Sequence, residues 1–147
     1  MAGNANVNDP ANSAASLRAL LAATRTIAVV GASANPARPS YGVMAYLIDA
    51  GYTVIPVNPG HSGQTILGQT VYATLAEVPV PVDVVDIFRR ADALSGVVDE
   101  ALALSPLPKA IWMQLGLSDD AAAARALRAG LEVVMDRCIK VDHARLM

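Results

Sequence analysis

The chain has 147 residues, 54% of them hydrophobic, 4% aromatic and 16% charged, with a formal net charge of -2. That length suits one domain burying about 70% of the unfolded chain's surface, and its core must be aliphatic. The charge balance excludes a nucleic-acid binder working through a basic surface, and one cysteine excludes an internal disulfide.

In chain order, residues 1–12 read as a disordered tail and 13–147 as a single domain. A short helix is expected at 16–23, too short to cross a bilayer. A reducing cytoplasm fits the cysteine usage. Residues 26–30 form an apolar run closed by Gly31, the pattern of a buried strand. Ser40 is expected to cap a helix with Val43, Met44, Leu47 and Ile48 on one face, which Gly51 ends. Further strands are expected at 52–57, 82–88, 110–115 and 131–135, with helices at 91–104 and 119–129. A polar loop and a short turn at 74–77 fill the gap between the second and third strands.

Apolar strands separated by helices imply an α/β fold: a Rossmann-like, doubly wound, five-stranded parallel sheet with helices on both faces. The expected strand order is 3-2-1-4-5, with a ligand beyond the carboxyl ends at the switch between strands one and four. The segments to inspect are therefore 31–41, 58–68, 88–90, 114–116 and 136–140.

Gly31 at the first strand's exit allows a close backbone approach, while Ser33, Arg38 and Ser40 add donors suited to phosphate. The loop lacks the second and third glycines of an NAD fingerprint, and the second strand ends in Asn58-Pro59 without an acid. No Gly-Lys-Ser/Thr of a P-loop is present. Arg89 and Arg90 follow the third strand and are expected beside the second strand's tip. There they suit an extra phosphate, as in NADP or coenzyme A.

Six segments then carry a resemblance. They are Ile27-Ala-Val-Val-Gly-Ala-Ser33, Arg38-Pro-Ser-Tyr41, Tyr52-Thr-Val-Ile-Pro-Val-Asn-Pro59, Val82-Asp-Val-Val-Asp-Ile-Phe-Arg-Arg90, Ile111-Trp-Met-Gln-Leu-Gly116 and Met135-Asp-Arg-Cys-Ile-Lys140. In that order they resemble the stand-alone CoA-binding proteins, which are similar to the CoA-binding domain of the succinyl-CoA synthetase α subunit. The likeness runs over residues 25–146 and implies a Rossmann-like domain that binds coenzyme A.

By that resemblance Gly31, Ala32 and Ser33 meet the pyrophosphate, and Arg38, Ser40 and Tyr41 line the same loop. Val57, Asn58 and Pro59 flank the adenosine, while Phe88, Arg89 and Arg90 meet adenine and the 3′-phosphate. Gln114 would reach the pantetheine amides or close a turn. The synthetase carries a lysine after strand two, and 61–65 here has none. The synthetase's phosphohistidine region and partner subunit have no counterpart either.

The remaining chemistry-bearing residues are read more plainly. Asp136, Cys138 and His143 lie close in sequence; Cys138 is expected to pack as a small apolar residue, with a mixed disulfide to the coenzyme A thiol as the alternative. Asp83 and Asp86, in a strand buried on both faces, are expected to find arginines or backbone donors. Trp112 belongs to the core and His61 to a solvated loop. No catalytic or metal-ligating set is identified. The leading expectation is a non-catalytic module or sensor for coenzyme A or an acyl-CoA. The alternatives are an NADP-dependent oxidoreductase and an interaction domain with a vestigial site. The strong apolar content (mean hydropathy +0.40) adds an expectation of a homodimer.

Overall fold

Residues with two substituents on Cβ favour extended backbone because χ1 is restricted in helices. Such residues dominate β1 (Thr26–Val30), β2 (Thr53–Val57) and β5 (Val84–Ile87). With β6 (Ala110–Met113) and β7 (Glu132–Val134) they make one parallel sheet in the computed structural model, which describes residues 12–147. The tail expected over 1–12 lies outside the described residues except for Asn12. Between β2 and β5 comes a two-stranded hairpin, β3 (Thr65–Ile66) and β4 (Gln69–Thr70), in place of the expected plain loop.

The sheet order is β2-β1-β5-β6-β7. Counting the five sheet strands along the chain, this is 2-1-3-4-5, not the expected 3-2-1-4-5. Pro56 supplies the physical reason. Thr53 N–H donates to the Arg25 carbonyl and the Val57 carbonyl accepts from Gly31 N–H, so positions 53 and 57 face β1. Pro56 therefore faces the outer edge, where a proline has no N–H to offer a further strand. That edge is closed by Tyr72 instead, whose N–H donates to the Pro56 carbonyl at 3.1 Å and whose carbonyl accepts from Asn58 N–H at 2.9 Å. The third long strand is left the other side of β1, in register Ile27 with Val84 through Val30 with Ile87.

Alternation along the strands divides the core in two. Ala28, Val85, Ile87, Ile111 and Met113 face α3 (Leu94–Leu102) and α4 (Asp120–Arg128). Ile27, Val29, Val84 and Trp112 face α1 (Ala14–Ala23), α2 (Pro39–Asp49) and α5 (Ile139–Leu146). Burying three leucines, 17, 20 and 21, makes α1 part of this second core. Asp119 caps α4 by accepting from Ala122 N–H at 3.0 Å. Ser40 does not cap α2. Arg38 holds that position, and the buried Ser40 hydroxyl accepts from Ser33 N–H at 3.2 Å. Among the described residues no helix is long and apolar enough to cross a membrane.

Candidate functional site

In this order the switch point falls between β1 and β5. The five strand exits then stand in a row: 58–61, 31–33, 88–89, 114–117 and 136–138. Neighbouring strands are about 4.8 Å apart, so the row is about 19 Å long. Along it runs a cavity of about 600 Å³.

The β1 and β5 exits press together. Gly31 has φ +89°, and a Cβ there would stand 2.2 Å from the Phe88 carbonyl oxygen. Glycine is thus required twice over, by backbone conformation and by space. The result puts Phe88 and Arg89 beside the first strand's exit, where the sequence pointed to the second strand's tip. Gly31, Ser33, Arg38, Ser40, Phe88 and Arg89 all line the cavity. Ala32 lies behind them, fully buried, and Tyr41 packs half-buried against the core. Arg90 is not in the lining; its side chain is 88% exposed and pairs with Asp92 at 3.4 Å.

At the β2 exit, Asn58 both lines the cavity and braces it. Its Nδ2 donates to the Ala32 carbonyl at 2.9 Å and its Oδ1 accepts from Gly60 N–H at 3.0 Å. Val57 is core, 2% exposed, and Pro59 lies exposed outside the lining. His61, read from sequence as a solvated loop residue, lines the cavity. The run Asn58-Pro59-Gly60 foretold a turn but not the direction in which its last residue faces.

The β6 and β7 exits line the cavity with amide, aliphatic and thiol side chains. Gln114 is 5% exposed and its Oε1 accepts from Ile139 N–H at 3.1 Å, tying β6 to the start of α5. Leu115, Leu117 and Cys138 join it in the lining. Asp136, at φ +58°, accepts from Gly116 N–H at 2.6 Å, and Trp112 Nε1 donates to the Arg137 carbonyl at 2.9 Å. Arg137 donates twice to the buried Asp142, at 2.7 and 2.8 Å. These bonds leave the Cys138 segment little freedom.

Asp136, Cys138 and His143 do not assemble. The Asp136 carboxylate is spent on Gly116, and His143 Nδ1 lies 2.8 Å from the Tyr46 hydroxyl. Burial beside Tyr46 and Tyr52 holds the His143 ring below the usual histidine range. Asp83, only partly buried just ahead of β5, finds the expected backbone donors, accepting from the N–H groups of Arg25 and Thr26 at 2.8 and 3.0 Å, and Lys109 stands 3.8 Å away. Asp86 departs from that expectation. It is fully buried in β5 with neither oxygen hydrogen-bonded among the described residues, and burial pushes its carboxyl well above the usual carboxylate range.

The electrostatics of the cavity are one-sided. Among the described residues no carboxylate lines it, while Arg38 and Arg89 do, and neither arginine has an ion pair or a side-chain hydrogen bond. Two uncompensated cations facing one cavity make a seat for an anion. The other end offers amide, thiol and aliphatic surface to an uncharged arm.

Residues 25–144 match the family of CoA binding domains. The chain belongs to that family. The uncharacterised protein YneT of Bacillus subtilis (strain 168) is 39% identical over 132 residues, covering 90% of this chain and 95% of its own length. The Thermus thermophilus protein cell-free ID.343 superposes with a TM-score of 0.87 at 40% identity, over 92% of this chain and 99% of that one. A dinucleotide forming acetyl-coenzyme A synthetase 1 from Ca. Korarchaeum cryptofilum, in its apo form, is 26% identical with a TM-score of 0.64. That match covers 76% of this chain and 26% of the synthetase, so the CoA-binding domain here is similar to one quarter of a larger enzyme.

Proposed function

We propose that this chain binds coenzyme A, or an acyl thioester of it, along the carboxyl edge of its sheet as a binding module or sensor with no catalysis of its own. One observation carries the reading: among the described residues, two arginines without a partner, Arg38 and Arg89, face a single cavity that no carboxylate lines. The pyrophosphate would lie over Gly31 and Ser33 within reach of Arg38. Adenosine would rest at the β2 exit by Asn58, and Arg89 would take the 3′-phosphate. Arg90, paired with Asp92, adds only to the surrounding field. The pantetheine arm would run past Gln114 and Leu115 towards Cys138, a span that the length of the row of strand exits accommodates.

Titration calorimetry with coenzyme A, dephospho-coenzyme A and NADP in parallel tests the reading. Coenzyme A is expected to bind, with dephospho-coenzyme A weaker by roughly tenfold, the worth of one charge-assisted hydrogen bond of about 1.5 kcal/mol. Arg89→Gln should erase that difference. A preference for NADP, or no binding by any of the three, overturns the proposal.

A further inference from the structure

His61 ends the turn Pro59–His61, which is held from several directions. Its N–H donates to the Asn58 carbonyl at 3.1 Å, its carbonyl accepts from Gln64 N–H at 3.1 Å, and Gly63 N–H donates to the Val71 carbonyl at 3.0 Å. Asn58 Oδ1 locks the same turn through Gly60, and its Nδ2 fastens the turn to the β1 exit at Ala32. The backbone under the ring is thus fixed relative to the Gly31–Ser33 segment. The ring is half-buried, shares the cavity with Arg38 and Arg89, and has no hydrogen bond or ion pair among the described residues. A loop histidine with no binding task needs neither this bracing nor this direction.

We propose that His61 grips a phosphate of the bound ligand when its ring is protonated, acting as a switchable third cation beside the two fixed arginines. This inference rests on the coenzyme A reading and names the group that makes it pH-dependent. Histidine is the side chain whose charge changes between pH 5 and 8. The charged or titratable groups sharing the cavity with it are Arg38 from the segment before α2, Arg89 from the β5 exit and Cys138 from the segment before α5. The hairpin of β3 and β4 behind the turn carries no charged residue, and Tyr72 bridges to β2 through its backbone. Among the described residues no carboxylate lines the cavity to pair with the ring. A phosphate seated there supplies the counter-charge and favours the protonated form. Proton uptake and ligand binding are therefore linked. The arginines set the baseline affinity, and His61 sets its dependence on pH.

The test is calorimetry of the full chain with coenzyme A between about pH 8 and pH 6, across the histidine range, comparing wild type, His61→Gln and His61→Lys. Buffers of differing ionisation enthalpy report protons taken up. The ratio of wild-type to His61→Gln affinity cancels the titration of the ligand's own phosphates. That ratio should rise roughly fivefold as pH falls, the worth of a partly exposed ion pair of about 1 kcal/mol. Wild type should take up a fraction of a proton that His61→Gln does not, and His61→Lys should bind tightly at both extremes. Identical pH profiles and proton uptake in wild type and His61→Gln, both binding coenzyme A, would sink the role of His61 and leave the coenzyme A reading intact. Failure of the wild type to bind at any pH would sink both.

Discussion

Gly31 is the residue on which the site turns. Its missing side chain lets the β5 exit pass within touching distance of the β1 exit, and this brings Arg89 to the cavity that Arg38 reaches from the other side. Gly31→Ala must relieve a contact with backbone, which cannot swing away as a side chain would, and must also hold a positive φ. We expect it to cost at least about 2 kcal/mol, from backbone strain alone of about 1–3 kcal/mol. Gly42, inside α2 with nothing within 4 Å of its would-be Cβ, is the control. Gly42→Ala should raise stability by about 0.5–1 kcal/mol. Urea midpoints measure both, and a Gly31→Ala protein as stable as wild type would show that the two exits have room to part.

Among the elements, β5 is the least conventional. It is buried on both faces between β1 and β6, yet carries Asp86 between Val29 and Trp112 with no hydrogen-bond partner among the described residues. Because burial raises the folded-state value, the folded chain holds this proton more tightly than the unfolded chain does. Stability from this group is fully present below the ordinary carboxylate value and is lost as pH rises towards the raised one. The slope is at most about 1.4 kcal/mol per pH unit. Asp86→Asn keeps the shape and removes the ionisation. Its melting temperature should therefore gain on wild type steadily as pH is raised from about 4, the unfolded carboxylate value. Glu132 in β7, also raised by burial, adds a slope of the same sign that both proteins share. Parallel melting profiles would mean that solvent or a counter-charge reaches Asp86.

At the scale of the whole molecule, one sheet serves two cores, so neither helical layer can leave without exposing strands that the other still covers. Trp112, the single tryptophan, is fully buried on the α1, α2 and α5 side. Helical circular dichroism also counts α3 and α4 on the opposite side. Tryptophan fluorescence and circular dichroism are expected to trace one coincident unfolding transition in urea. Two separated midpoints would mean that the layers melt independently. The same shared sheet divides the cavity lining, with Arg38 and Arg89 beside the β1 and β5 exits and amide, aliphatic and thiol side chains from the β6 and β7 exits.

Much of this was legible in the residues themselves. Apolar runs alternating with helical patterns specify a parallel sheet covered on both faces, because such strands have no side that tolerates water. The glycine after β1, the arginines after β5 and the segments named as strand exits follow from that local pattern. Strand order does not, because it depends on which edges meet across long stretches of chain. Pro56 carried the clue, but its force depends on which way position 56 faces, and only the paired sheet decides that. The helix α5 shows no plain apolar stripe in the sequence because a charged residue, Asp142, occupies an inward position, satisfied by Arg137 just before the helix and by Arg145 one turn on. The pairing of Arg90 with Asp92, the lone burial of Asp86 and the turning of His61 into the cavity are likewise tertiary facts. Propensity and periodicity are settled by neighbours in sequence; the company a charged side chain keeps is settled by neighbours in space.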